Sequence, residues 1–234
     1  MIPAAELAYA TTKRLILSGT APGGTLLSEA QLGAELGVSR TPVHEAFLRL
    51  AAEGLLTLET RRGAIVTPMS PREAQNVLDL REAIEASAAR RVLDAGGPDD
   101  ALVAALDDAL AEQRAAIAAD DVERFVEADQ WFHAAIVEAS GNDLAVHFFG
   151  MLRDRQQRIR HQLFRVRPGT LGDSLADHEA LFAALRDNSD NGGGDSGGGD
   201  SGGGDSGGGR PERGAGTAFE ERLRSHIARN QGAL

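Results

Sequence analysis

Ser39-Arg40-Thr41-Pro42-Val43-His44-Glu45-Ala46-Phe47-Leu48-Arg49-Leu50 decides the fold. Ser39 or Thr41 can cap a helix, and Pro42 falls where a missing N–H costs little. Val43, Ala46, Phe47 and Leu50 then share one face at helical spacing, with Thr41, His44, Glu45 and Arg49 on the other. Such a helix buries one side and offers hydrogen-bonding groups on the opposite side. Working outward, Ser28-Glu29-Ala30-Gln31-Leu32-Gly33-Ala34-Glu35-Leu36-Gly37 opens with Ser28 and Gln31 in capping-box positions and closes on Gly37, a ready helix stop. Two short helices joined by a tight turn at Gly37-Val38 make a helix-turn-helix, a unit whose second helix enters the major groove of DNA.

Residues 5–18 read as a preceding helix, followed by a turn at Ala21-Pro22-Gly23-Gly24. Residues 55–59 and 64–67 read as strands, with Thr60-Arg61-Arg62-Gly63 as their hairpin turn. By spacing alone, Arg61 and Arg62 fit a solvated loop as well as a phosphate contact. The first 70 residues resemble the GntR family of bacterial transcription regulators. The motifs that carry the resemblance are Ala21-Pro22-Gly23, Leu27-Ser28-Glu29, Leu36-Gly37-Val38-Ser39-Arg40-Thr41-Pro42-Val43, Glu45-Ala46, Arg49-Leu50, Glu53-Gly54-Leu55 and Arg62-Gly63. It implies a winged helix-turn-helix over residues 1–69 that contacts double-stranded operator DNA. Ser39, Arg40, Thr41, His44 and Arg49 would contact it from the helix, and Arg61, Arg62 and Gly63 from the wing. His44 departs from the family, which usually places there an Arg that reads guanine. A neutral imidazole has one donor and one acceptor, so a different operator preference is expected.

The net charge of −11 is unevenly spread. Residues 1–70 balance six basic against six acidic residues, so the whole excess falls on residues 71–234. An acidic second part is discouraged from lying on DNA. Cysteine is absent, which excludes disulfides and thiolate metal sites and fits a cytoplasmic location. No apolar run of about 18 residues is present, so no membrane span is expected.

Ser70-Pro71-Arg72-Glu73 reads as a further helix start, with Ser70 and Glu73 in capping-box positions. From there the pattern is helical throughout: 71–95 with Val77, Leu80, Ile84, Ala88 and Val92 inward, then 99–119, 121–139, 143–166, 173–187 and 217–230. Short Gly- and Pro-containing breaks separate them. The expected fold is mainly α, with an antiparallel six-helix bundle over residues 70–234. A Gly-Asp-Ser repeat at about 189–216 has no apolar side chain through residues 191–209, and is expected to be a flexible insertion between bundle helices.

Asp129 and His133, at i and i+4, project from one helix face beside Phe125, Phe132 and Ile136. His178 and His226 lie on two other amphipathic helices. From spacing alone, hydrogen-bonded core histidines explain this pattern better than a metal does. The region resembles the FCD domain, the helical effector domain of the FadR subgroup. The resembling residues are Leu80-Arg81 with Ile84-Glu85, Asp129 with Phe132-His133, Ser140-Gly141-Asn142, His178 with Leu181 and Ala184-Leu185, and His226-Ile227. The resemblance implies a divalent metal ion held by Asp129, His133, His178 and His226. Such N/O ligands suit zinc, nickel, manganese or iron, with zinc slightly favoured. His147 and His161 match no ligand motif and read as helix-surface or pocket residues. Arg81 is the inward basic residue that could anchor a small carboxylate effector, or equally pair with Glu85 at i+4.

The function expected is a homodimeric transcription regulator, a repressor released by a small organic acid bound near the metal. A metal sensor is the alternative. Metalloprotease and nucleophile-elbow motifs are absent, so enzymatic activity is not expected.

Overall fold

The computed structural model describes residues 2–59, 62–167, 169–187 and 215–231. Arg61 and most of the Gly-Asp-Ser repeat, within 188–214, lie outside the described residues. Nine helices and one three-stranded antiparallel sheet make up the described chain.

In the N-terminal part, α1 (Ala4–Leu17), α2 (Glu29–Leu36) and α3 (Arg40–Ala52) pack around Val43, Ala46, Phe47 and Leu50, all fully buried. The apolar spacing of α3 therefore points as the sequence predicts, and truncating Phe47 to Ala would cost about 3–5 kcal/mol. Ser28 caps α2 by accepting from the Gln31 N–H at 3.4 Å, and Gly37 closes it in the left-handed region with φ 68°. The expected capping box is only half formed, because the Gln31 side chain donates forward to Glu35 at 3.0 Å. The same holds at α4, where Ser70 accepts from the Glu73 N–H while the Glu73 carboxylate turns to Arg155.

The hairpin is β2 (Leu56–Glu59) and β3 (Gly63–Val66). A two-residue strand, β1 (Leu26–Leu27), pairs with the other edge of β3 and gives the order β1-β3-β2. The sequence reading missed β1, since two residues carry no periodicity. Its close approach explains Gly63: a Cβ there would sit 2.0 Å from the Leu27 carbonyl oxygen, at a φ of 116°.

The C-terminal part contains α4 (Pro71–Asp94), α5 (Asp100–Ala118), α6 (Val122–Ala139), α7 (Asp143–Val166), α8 (Thr170–Arg186) and α9 (Ala215–Gln231). Side-chain oxygens of Asp99, Asp121 and Asn142 cap α5, α6 and α7. A continuous core runs from Val77 and Leu78 through Leu106, Phe132, Ile136 and Leu181 to Phe219, Leu223 and Ile227. The last three dock α9 against α4 and α8. One expected core position is wrong. Leu80 is 54 % exposed, because the inward stripe of α4 runs through Val77, Leu78, Arg81, Glu85, Ala88 and Val92.

The two parts meet along α1 and α7. Lys13 Nζ lies 2.6 Å from Asp154 Oδ2 and 3.0 Å from Glu53 Oε2. Burial alone would lower the Lys13 pKa, but its bonds to Asp154, Tyr9 and Glu53 raise it above the ordinary lysine range. Arg158 donates to the Thr67 carbonyl at 2.7 Å. No described helix is long and apolar enough to cross a membrane.

Candidate DNA groove and metal centre

α3 presents its polar face beside the wing. Arg40 and His44, one turn apart, line a groove of about 410 Å³ together with Arg62 and Gly63 of the hairpin and Ser28, Glu29 and Ala30 of α2. Ser39 and Thr41 are exposed next to it. Among the described residues no carboxylate holds Arg40 or Arg62, so both guanidiniums can reach outward. Arg49 is placed differently. Its Nη1 donates to Glu6 at 2.8 Å and its guanidinium stacks on the Tyr9 ring at 3.9 Å, so it ties α3 to α1.

Deep in the helical part, Asp129 and His133 of α6, His178 of α8 and His226 of α9 converge, all buried, with one candidate ligand atom from each within 4.8 Å of the others. His133 Nε2 is 3.1 Å from His178 Nε2, which is 3.3 Å from His226 Nε2 and 3.5 Å from Asp129 Oδ1. Each outer nitrogen has its own acceptor: His133 Nδ1 reaches Glu85 at 2.7 Å, His178 Nδ1 reaches Gln113 Oε1 at 2.7 Å, and His226 Nδ1 reaches Asp177 at 3.1 Å. These acceptors keep hydrogen on Nδ1 and leave a lone pair on every Nε2. The Phe132 ring stacks on His178 at 4.8 Å and fixes its plane.

Burial is the main reason all three imidazoles resist protonation. It lowers His133, with Arg81 adding to it. His178 falls well below the usual range, helped by the neighbouring His226 and His133. His226 is pushed down to about 3, although its bond to Asp177 works the other way. Three neutral rings with facing lone pairs cannot hydrogen-bond to one another, and both Asp129 oxygens lack a hydrogen-bond partner. A divalent cation satisfies this donor set, and neutral imidazole is the form that ligates.

Two further cations border the cluster. Arg81 is buried and bonded to Glu85, with its Nη2 unsatisfied. Burial would raise the Glu85 pKa, but Arg81 and His133 hold its carboxyl well below the usual range. Arg160 of α7 is 2 % exposed and in ion-pair contact with Asp129, yet none of its nitrogens completes a hydrogen bond. Gln156, one turn earlier on α7, is buried with both amide atoms unpaired. Buried polar atoms without hydrogen-bond partners are thus concentrated around the four candidate ligands.

Residues 4–66 match the model of bacterial regulatory proteins of the gntR family, and residues 76–193 match the FCD domain. The chain belongs to the GntR family. This GntR regulator is 31 % identical over 185 residues to the HTH-type transcriptional repressor RspR of Escherichia coli, covering 79 % of each chain. It is 33 % identical over 138 residues to the gluconate operon transcriptional repressor of Bacillus licheniformis, covering 59 % of this chain and 56 % of that one. In fold it is similar to E. coli McbR/YncC, with a TM-score of 0.70 at 19 % identity over 98 % of this chain and 96 % of the other. The families and the named relatives are transcription regulators rather than enzymes.

The GntR regulator thus brings Arg40, His44, Arg62 and Gly63 into one groove and the four expected ligands into one cluster, while Arg49 stands apart. The FCD match ends before α9, so His226 joins the cluster by docking of a helix beyond the matched span. Sequence reasoning missed Arg160, Gln156 and Gln113. Their signal was available: Gln156 and Arg160 share the apolar face of α7 with Ile159, Leu163 and Phe164.

Proposed function

We propose that this DNA-binding regulator is a repressor whose grip on its operator answers to a metal and a small organic acid held in the helical part. The division of labour falls near residues 69 and 70. The observation that carries this reading is the convergence of three Nε2 lone pairs on Asp129, each ring held by its own acceptor, beside two buried guanidiniums. Asp129, His133, His178 and His226 would hold the ion, zinc first among zinc, nickel, manganese and iron. A bound divalent ion supplies Lewis-acid positions that attract a carboxylate. Arg81 and Arg160 are the side chains that would take the acid's remaining oxygens, since guanidinium pairs with carboxylate bidentately.

The route from the buried cluster to DNA is α7. It sends Gln156 and Arg160 inward and, within the same two turns, Asp154, Arg155 and Arg158 outward to Lys13, Glu73 and Thr67. A ligand preferring one position of α7 would shift how the winged part is held.

The protein is read as a homodimer. α4 exposes Asn76, Leu80, Ala83 and Ser87, and the neighbouring α7 exposes Leu144, Phe148 and Met151, with no charge among them. The helical part carries the whole net charge of −11, so a face without charges is where two copies can meet with least repulsion. Paired winged parts also fit paired half-sites.

The test is a titration of operator affinity against each metal, with and without candidate acids. The proposal requires that acid release the metal-loaded protein from DNA. A response to metal alone makes the protein a metal sensor, and indifference to both removes the proposal.

A further inference from the structure

On the groove side of α3, His44 is not a free imidazole. Its Nδ1 lies 2.7 Å from Oε1 of Glu29, the first residue of α2. A carboxylate only accepts, so the hydrogen of this contact belongs to Nδ1. The neutral ring then carries its lone pair on Nε2. Among the described residues nothing is hydrogen-bonded to that nitrogen, and the His44 side chain is 53 % exposed. The Glu29 bridge also ties down the ring's rotation.

Arg40, four residues earlier on the same face, presents donors only, which suit guanine N7 and O6. His44 presents the opposite: a single acceptor. In the major groove an acceptor is matched by an exocyclic amino group, N4 of cytosine or N6 of adenine. We propose that the Glu29–His44 pair sets the base preference one step along the operator from Arg40, reading an amino group rather than a guanine edge. The proposal rests on α3 being the helix that reads the groove. Glu29 is then a positioning residue, which chooses the tautomer without touching a base.

The experiment uses the full-length protein at pH 8 with a randomised half-site library, comparing wild type with His44→Ala, His44→Arg, Glu29→Gln and Arg40→Ala. Wild type should enrich cytosine or adenine over guanine and thymine on one strand of one column, by about fivefold, the worth of one hydrogen bond. His44→Ala should flatten that column alone, and Glu29→Gln should weaken it, since an amide permits either tautomer. The selected duplex is then remade with a 7-deazapurine in that column, which removes N7 but keeps the amino group. Wild-type affinity should not change, whereas His44→Arg should lose about fivefold or more. Loss of wild-type affinity on the 7-deaza duplex would overturn the proposal, as would identical columns for wild type and His44→Ala. If Arg40→Ala also leaves every column unchanged, the assignment of α3 fails as well. A change with Arg40→Ala alone confines the failure to His44.

Discussion

His133 and His178 bring their Nε2 atoms to 3.1 Å of each other while holding their Nδ1 atoms on Glu85 and Gln113. Two lone pairs at that distance repel unless a cation lies between them. His133→Ala should therefore strip the purified protein of metal, read by mass spectrometry of metal content. Gln113→Leu removes only the support of His178 and should weaken metal affinity by about 10–100-fold. Full occupancy in His133→Ala would dismiss the ligand set.

The same burial makes the metal-free protein acid-sensitive. His226 has a folded pKa of about 3, against about 6.5 for a free imidazole. Between those values the unfolded chain binds more protons than the folded one, so stability falls as pH falls. His133 and His178, also lowered, add in the same direction. Urea midpoints should drop steadily from pH 6.5 to pH 4.5, and His226→Gln should flatten the slope. Equal midpoints at pH 7.5 and pH 5 would contradict it.

Arg40 and Arg49 lie on one helix but should behave differently. Arg40→Ala should cut operator affinity by about 5–150-fold while sparing affinity for scrambled DNA. Arg49, occupied by Glu6 and Tyr9, should matter less to sequence discrimination. Fluorescence anisotropy on both duplexes checks this, and the reverse ranking would show that Arg49 leaves Glu6 to read DNA.

A charge placed on the exposed apolar stripe should separate the subunits. Phe148→Asp or Met151→Asp should sediment as a monomer with an unchanged far-ultraviolet circular dichroism spectrum, since both side chains are more than half exposed. A wild-type dimer that survives both changes would place the interface elsewhere.

Asp154→Ala removes one outward hold of α7 on α1 but touches none of the four candidate ligands. Metal content should stay at the wild-type level while the effect of metal on operator affinity shrinks. An unaltered response would mean that Lys13 and Asp154 carry no coupling.

Sequence alone determined the helices and the hairpin of the wing. The spacing of Val43, Ala46, Phe47 and Leu50, the Ser28 cap and the Gly37 stop were enough for the helix-turn-helix, because caps and periodicity are local. The four candidate ligand side chains were nameable for the same reason, once a resemblance singled them out. What lay beyond was everything set by a neighbour distant in the chain. Leu80 is apolar and on a helical stripe, yet exposed, because α4 turns its buried Arg81–Glu85 pair inward toward His133 instead. β1 exists only because β3 offers it an edge. Arg49 belongs to Tyr9 and Glu6, forty or more positions back, and His44 to Glu29 on the other helix. Only the docking of α9 through Phe219, Leu223 and Ile227 carries His226 to His178. Periodicity says which face of a helix is greasy, but the partner that face meets is chosen by packing of the whole chain.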